Sequence, residues 1–385
     1  MLGRPVPFDV TVYDKNYARK GPLGSPVSLS GEAVFNGAGS LEFTVPADHP
    51  RILDLIEPGA RVTVGYRPTD DVEAFPLISG RVSEESGAGT LSPTKTFAVT
   101  DDWTVLSDEV QCWPNPTGTI GQQGDEDAYF TVRGPAETVL KDILSPNVTR
   151  QGTALTIPAS QGRGATITGQ MRFHTVEERL FPALEDAGLG VRVLQVGDER
   201  VLDVFEPATF PRVLTQESGV VASGEYSVSA PLVTRVLIAA GGEGTARVVR
   251  QKVLSALEAE HGVVLPAFRD ARDVNNDEGN LEDELEERMN ETLEEGAPKA
   301  SLKCELAETG WFRFGVSFNV GDRVSVQLAG APVITDVVRA VAFEWSPDAG
   351  VKVTPRVGEW SDTADAVLID RVASLSRAIS NLEKR

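Results

Sequence analysis

Nine residues near one end of the chain, Ile56 to Val64 (IEPGARVTV), return in altered form near the other as Phe318 to Val326 (FNVGDRVSV). A repeated turn-and-strand constrains the fold more than any composition value, because a duplicated unit has to appear twice in the architecture. In each copy a glycine, Gly59 or Gly321, opens the turn. The strand period then directs Arg61 and Arg323 outward and the pairs Val62/Val64 and Val324/Val326 inward. Each copy follows a helix and a strand and is followed, after a loop, by another strand, LISGRV or VITDVVRAV. The sequence therefore predicts two related small β-domains in one chain.

The flanking segments fit a mainly β reading. FDVTVYD sets Phe8, Val10 and Val12 on one face, and SLEFTV does the same with Leu41, Phe43 and Val45. Between that second strand and the repeat, PADHPRILDLIEPG predicts one short helix capped by Asp48, with Pro50 in its first turn and Ile52, Leu55 and Ile56 on one side. FPLISGRV and TKTFAVTD complete an antiparallel sheet over residues 1–110, expected to close as a barrel or sandwich.

The middle changes character. CWPNPTGTIGQQGDED reads as a long loop, GPAETVLKDILSPN as a helix between Pro135 and Pro146, and TVEERLFPALEDAGLGVRV as helix, cap and strand. Residues 111–215 are thus an α+β insertion. Residues 216–245 return to alternation and are expected to complete the first sheet. Residues 246–360 then hold an acidic helix, with Leu281, Leu285, Met289 and Leu293 on one stripe, and the second β-domain. In residues 361–385, Leu368, Val372, Leu375, Ile379 and Leu382 are spaced four, three, four, three, which predicts a short C-terminal coiled-coil helix.

Length and charge narrow the function classes. At 385 residues the chain is expected to hold two to four domains. No apolar run approaches the roughly 20 residues of a membrane-spanning helix. The N-terminus lacks the apolar stretch of a signal peptide, so synthesis in the cytoplasm is expected, with Cys112 and Cys304 kept as thiols. A net charge of -21, from 36 basic and 57 acidic residues, disfavours a surface that tracks phosphates. Ten of the acidic residues lie between Asp277 and Glu295, against the single Arg288.

Catalytic signatures are missing. His49, His174 and His261 have no metal-binding or triad spacing, and no nucleophile elbow, zinc-protease helix or phosphate loop occurs. Asp273, Asn275, Asp277 and Glu284 occupy calcium-loop positions, but Glu278 stands where that loop needs its glycine, which comes one residue late as Gly279. A polar loop leading into the acidic helix is the plainer reading. Asn147 and Asn290 head glycosylation sequons by letter only. The expectation is no enzyme, no metal and no cofactor.

The segments GSLEFTVPADHPRILDLIEPGARVTV, ISGRV, DDWTVLSDEVQCWPNPT with GPAETVL, and EEGAPKASLKCEL through VGDRVSV to ITDVVRAVAFEW resemble the tail hub, or minor tail, proteins of long-tailed actinobacteriophages. That family is similar in fold to the baseplate hub of contractile tails. The resemblance implies two tube-like β-barrels per chain and a homotrimer forming a ring of six barrels at the virion tail tip. It further implies neighbours: the distal tail protein, the tape measure protein, and tip or receptor-binding proteins, with DNA only in transit through the channel. The alternatives are a cell-wall-degrading tail enzyme using a carboxylate pair, or host-receptor binding through residues 111–215.

Overall fold

The structure is a computed structural model that describes residues 7–24, 26–87, 94–123, 129–242, 247–272 and 281–358. Two expectations, the loop from Asp273 to Gly279 and the terminal helix through Leu368 and Leu382, lie outside the described residues. Two compact units are formed, residues 1–224 with 303–385 and, separately, residues 225–302.

The first unit starts with β1 (Phe8–Tyr13), β2 (Arg19–Pro22), β3 (Ser28–Val34), β4 (Ser40–Pro46), the single-turn α1 (Ile52–Leu55), β5 (Arg61–Tyr66), β6 (Phe75–Ser86) and β7 (Thr94–Asp101). Alternation explains these strands: Phe8, Val10, Val12, Leu41, Phe43, Val45, Val62 and Val64 are all buried. The α1 turn is shorter than its sequence signals suggest. Arg51 stands at its N-terminus without a capping side chain, and of its expected apolar side Leu55 is buried while Ile56 is exposed.

The α+β insertion follows as β8 (Gln111–Cys112), β9 (Phe130–Pro135), α2 (Ala136–Gln151), β10 (Thr166–Met171), β11 (His174–Thr175), α3 (Val176–Asp186), β12 (Gly190–Val196) and β13 (Glu199–Phe205). Its own core joins Trp103 and Leu106 to Val139, Leu140, Ile143, Leu180, Leu184, Val193 and Leu202. Helix α2 runs on through Pro146 rather than ending there, and finishes at Gly152 in the left-handed conformation. Thr175 caps α3 by accepting from the Glu178 amide, while the Glu178 carboxylate accepts from the Thr175 amide.

The chain then forms β14 (Thr209–Thr215), β15 (Val221–Val228), β16 (Arg235–Ala240), β17 (Val249–Val253), α4 (Ser255–His261), β18 (Pro266–Ala271), α5 (Leu281–Glu295), β19 (Ala300–Leu306), β20 (Arg323–Gln327), β21 (Ile334–Ser346) and β22 (Gly350–Gly358). Strands β16, β17 and β18 form a sheet of their own, in the order β17-β16-β18. Helix α5 lays Leu281, Leu285, Met289 and Leu293 on Val236, Ile238, Ala240 and Ala271 of that sheet. Of residues 216–245, expected to complete the first sheet, β16 lies in this separate sheet, while β15 stays in the larger one described next. Alternation fixes which face of β16 is buried, but the partner is chosen by α5, about fifty residues downstream.

The remaining strands make one 13-stranded sheet, with a path β15-β19-β22-β21-β3-β4-β7-β6-β5-β1-β2 and with β20 joining β14 to β21. This path is open. Two separately closed barrels, as expected from sequence, are not formed among the described residues.

Candidate functional site

Within that sheet the duplication is written residue by residue. Strands β4, β5, β6 and β7 lie in the spatial order β4-β7-β6-β5, and β19, β20, β21 and β22 lie as β19-β22-β21-β20. In the first set Val62, Thr63 and Val64 face Gly80, Ser79 and Ile78. In the second, Val324, Ser325 and Val326 face Asp336, Thr335 and Ile334. Even an irregularity recurs: the ladder skips one residue after Val82, opposite Val99, and again after Val338, opposite Val357. Such β-bulges redirect a strand, so each copy bends at the same point. Leu41 of β4 then faces Val99 as Cys304 of β19 faces Val357. Gly59 and Gly321 both have positive φ, +81° and +95°, as the shared turn requires.

A fifth strand extends each set. β3 pairs with β4, and β15 pairs with β19. Both carry Ser-Gly-Glu, as Ser30-Gly31-Glu32 and Ser223-Gly224-Glu225. Gly31 lies opposite Leu41, and Gly224 lies against Cys304. The sequence reading missed this second repeat, because three common residues carry no weight until the register aligns them.

β3 has a second neighbour, and it joins the copies. Val34, Ala33, Glu32, Gly31, Ser30 and Leu29 pair in register with Ala340 to Trp345 of β21. The Phe343 ring occupies the space a side chain at Gly31 would need, and Phe343 packs on Phe8 at 5.4 Å between ring centroids. Across the seam Arg356 Nη1 donates to Glu32 Oε1 at 2.6 Å.

The two arginines of the repeat differ. Arg323 is exposed, as expected. Arg61 is only 3% exposed, which corrects its outward reading. Its Nη2 donates to both Asp102 carboxylate oxygens at 2.6 Å, and its Nε donates to Gln195 Oε1 at 2.8 Å. Ser79 Oγ also donates to Asp102, at 2.6 Å, and accepts from the Gln195 amide at 2.7 Å. Arg200 joins Glu109 at 2.9 Å and lies 3.8 Å from Asp102. The outer face of β5 is thus covered by β12 of the insertion, and a buried arginine is tolerated there because each charge is paired.

Further clamps surround it. Asn36 Oδ1 accepts from the Val191 amide at 2.7 Å, its Nδ2 donates to the Leu189 carbonyl at 3.1 Å, and Arg339, at the bulge of β21, pairs with Glu185 at 2.7 Å. Asp101 accepts from the amides of Gly39 and Trp103, and burial pushes its carboxyl up to about 6. At the second copy Asp322 accepts from the amides of Ala208 and Asn319, and burial raises it too.

Nothing in this arrangement resembles a reaction centre. His49 lies in the turn before α1, His174 on β11 and His261 on α4, and no three metal-ligating side chains converge among the described residues. What the geometry provides is one sheet built from two like sets of strands, with the insertion joined to it by ion pairs and hydrogen bonds.

Comparison with known proteins gives the same picture. Among solved structures, the 43 kDa tail protein of prophage MuSo2 from Shewanella oneidensis superposes over 91% of this chain and 98% of its own, with a TM-score of 0.51 and 15% identity. The tail protein from Neisseria meningitidis MC58 covers 91% and 96% at 0.49 and 14%. Prophage tail protein gp18 from Listeria monocytogenes EGD-e covers 97% and 99% at 0.49 and 14%. At these identities the first likeness establishes a shared fold. No curated protein matches the sequence. A family model described as Siphovirus ReqiPepy6 Gp37-like protein matches residues 9–359. That match runs from the first strand to the end of the last one, and the chain belongs to this family of siphovirus tail proteins, structural components of the virion.

Proposed function

We propose that the protein is the hub at the distal end of the tail, a homotrimer in which each chain supplies two pseudo-equivalent five-stranded units to a ring of six. The observation that carries this reading is the duplicated sheet with its shared bulge and its internal seam. Two like units joined edge to edge in one chain are what a sixfold tube meeting a threefold tip calls for. The neighbours in this reading are the distal tail protein, the tape measure protein, and tip or receptor-binding proteins. The net charge of -21 suits a channel that DNA passes without adhering.

The test is the mass of the purified protein by native mass spectrometry, on the full chain and on a version ending at Trp360. A trimer at both lengths supports the ring with the terminal residues as an accessory. Loss of the trimer on truncation assigns trimerisation to residues 361–385. A monomer at both lengths, unchanged by adding the distal tail protein, overturns the reading.

A further inference from the structure

The internal seam shows how a third unit would join. In the seam, β3 of the first unit hydrogen-bonds along β21 of the second, beyond the bulge. Applying the same relationship once more, β15 of the second unit would pair with β6 of a first unit, also beyond its bulge. Within one chain neither strand has that partner. β15 ends the sheet path, and β6 is paired on its β5 side only as far as Arg81 and Val82 among the described residues.

Exposure tells the same story in residues. No position of β3 is exposed, because the seam covers it, whereas seven of the eight residues of its counterpart β15 are exposed. On the other side, Ala340 and Val341 of β21 are buried, while their equivalents Glu84 and Glu85 of β6 are exposed. An exposed strand edge presents a row of unpaired amides and carbonyls, which is a template for adding another strand. The glutamates on β6 oppose unregistered extension by like chains, so pairing there depends on a partner that fits the register.

We infer that β15 of one copy pairs with the distal half of β6 of a second copy of this chain, in the register of the internal seam. Transferring that register sets Ser86 opposite Glu225, Glu85 opposite Tyr226, and Glu84 opposite Ser227. The contact is heterologous, since β15 and β6 are different surfaces, so repeating it builds a ring where the rotation closes and never a twofold dimer. The inference rests on the hub reading for the size of that ring, but the choice of strands comes from the seam alone.

Cysteine cross-linking of the full chain tests it. A chain carrying both Glu85→Cys and Tyr226→Cys should give, on mild oxidation, a covalent ladder ending at the ring size, while either substitution alone should give none. Coexpressed, differently tagged single variants should cross-link only to each other. Both positions are exposed, Glu85→Cys gives up only a surface ion pair with Lys95, which contributes little to stability, and native Cys112 and Cys304 are buried. An oligomer by native mass spectrometry with no cross-link overturns the strand assignment and leaves the hub reading standing. Cross-linking within a single variant also overturns it, because it would mean a twofold contact. A chain that neither cross-links nor oligomerises, with the distal tail protein added as well as without it, overturns both.

Discussion

Arg61 and Arg323 stand at the same position of two matching hairpins, yet Arg61 is sealed against Asp102 beneath the insertion while Arg323 faces solvent. Removing one partner of a buried pair leaves the other charge uncompensated, which typically costs about 3–5 kcal/mol. Arg61→Ala should lower stability by that order. Arg323→Ala should stay within about 0.5 kcal/mol. Urea denaturation of the two variants side by side checks the contrast, and equal effects would sink it.

The seam at Gly31 should be intolerant of bulk. A Cβ there would come within 2.3 Å of the Ser40 carbonyl oxygen and 2.6 Å of the Phe343 ring. Overpacking of this kind costs about 1–3 kcal/mol, so Gly31→Val should destabilise by that order. Phe343→Ala removes a buried ring and is destabilising alone, but it should cost less in the Gly31→Val background, with the coupling short of the full Gly31→Val loss because the backbone oxygen of Ser40 stays. A double-mutant cycle in urea measures this coupling.

Acid should act on the protein in two opposed ways. The Asp101 carboxyl, raised by burial to about 6 from its usual 3.8, binds a proton more tightly when folded. Its contribution is greatest below about pH 4 and is lost as pH rises through about 6. Burial would raise Glu137 too, but hydrogen bonds from Arg163, Lys141 and the amides of Arg163 and Gln161 outweigh it and hold the carboxyl down at about 2. Its contribution is present above about pH 4.5 and is lost as pH falls toward 2. Asp101→Asn should flatten the stability profile between pH 4 and 6, and Glu137→Gln should flatten it below 4.5. Urea midpoints across pH 2–7 test both signs.

The thiols should be silent. Burial pushes Cys112 up to about 12, and Cys304, with Glu305 beside it, up to about 11. A thiol reagent at pH 8 should therefore label none in the native protein and two after denaturation. Rapid labelling of the native chain would contradict the packing of β8 and β19.

Sequence patterning carried local information well and long-range information poorly. Alternation located β1, β4, β5 and β20, and the Gly-x-Arg-Val repeat revealed the duplication, because those signals are complete within a few residues. The burial of Arg61 was invisible because the cover over its face comes from Gln195, 134 positions away. Likewise β16 shows the alternation of a main-sheet strand, and only the apolar stripe of α5 assigns it elsewhere. The Ser-Gly-Glu pair was in plain view, yet it gained meaning only once Gly31 and Gly224 were seen beside Leu41 and Cys304.

The seam also sets a timetable for the nascent chain. Glu32 and Arg356, which meet across it, are 324 residues apart. At about 5–20 residues per second, a ribosome needs roughly 16–65 s to travel between them. During that interval the first five-stranded unit can fold, but the outer edge of β3 stays bare, and on a polysome it is surrounded by identical bare edges. Completion of β21 caps that edge in cis, so only synthesis through the end of the sheet removes an edge that could otherwise pair with another chain.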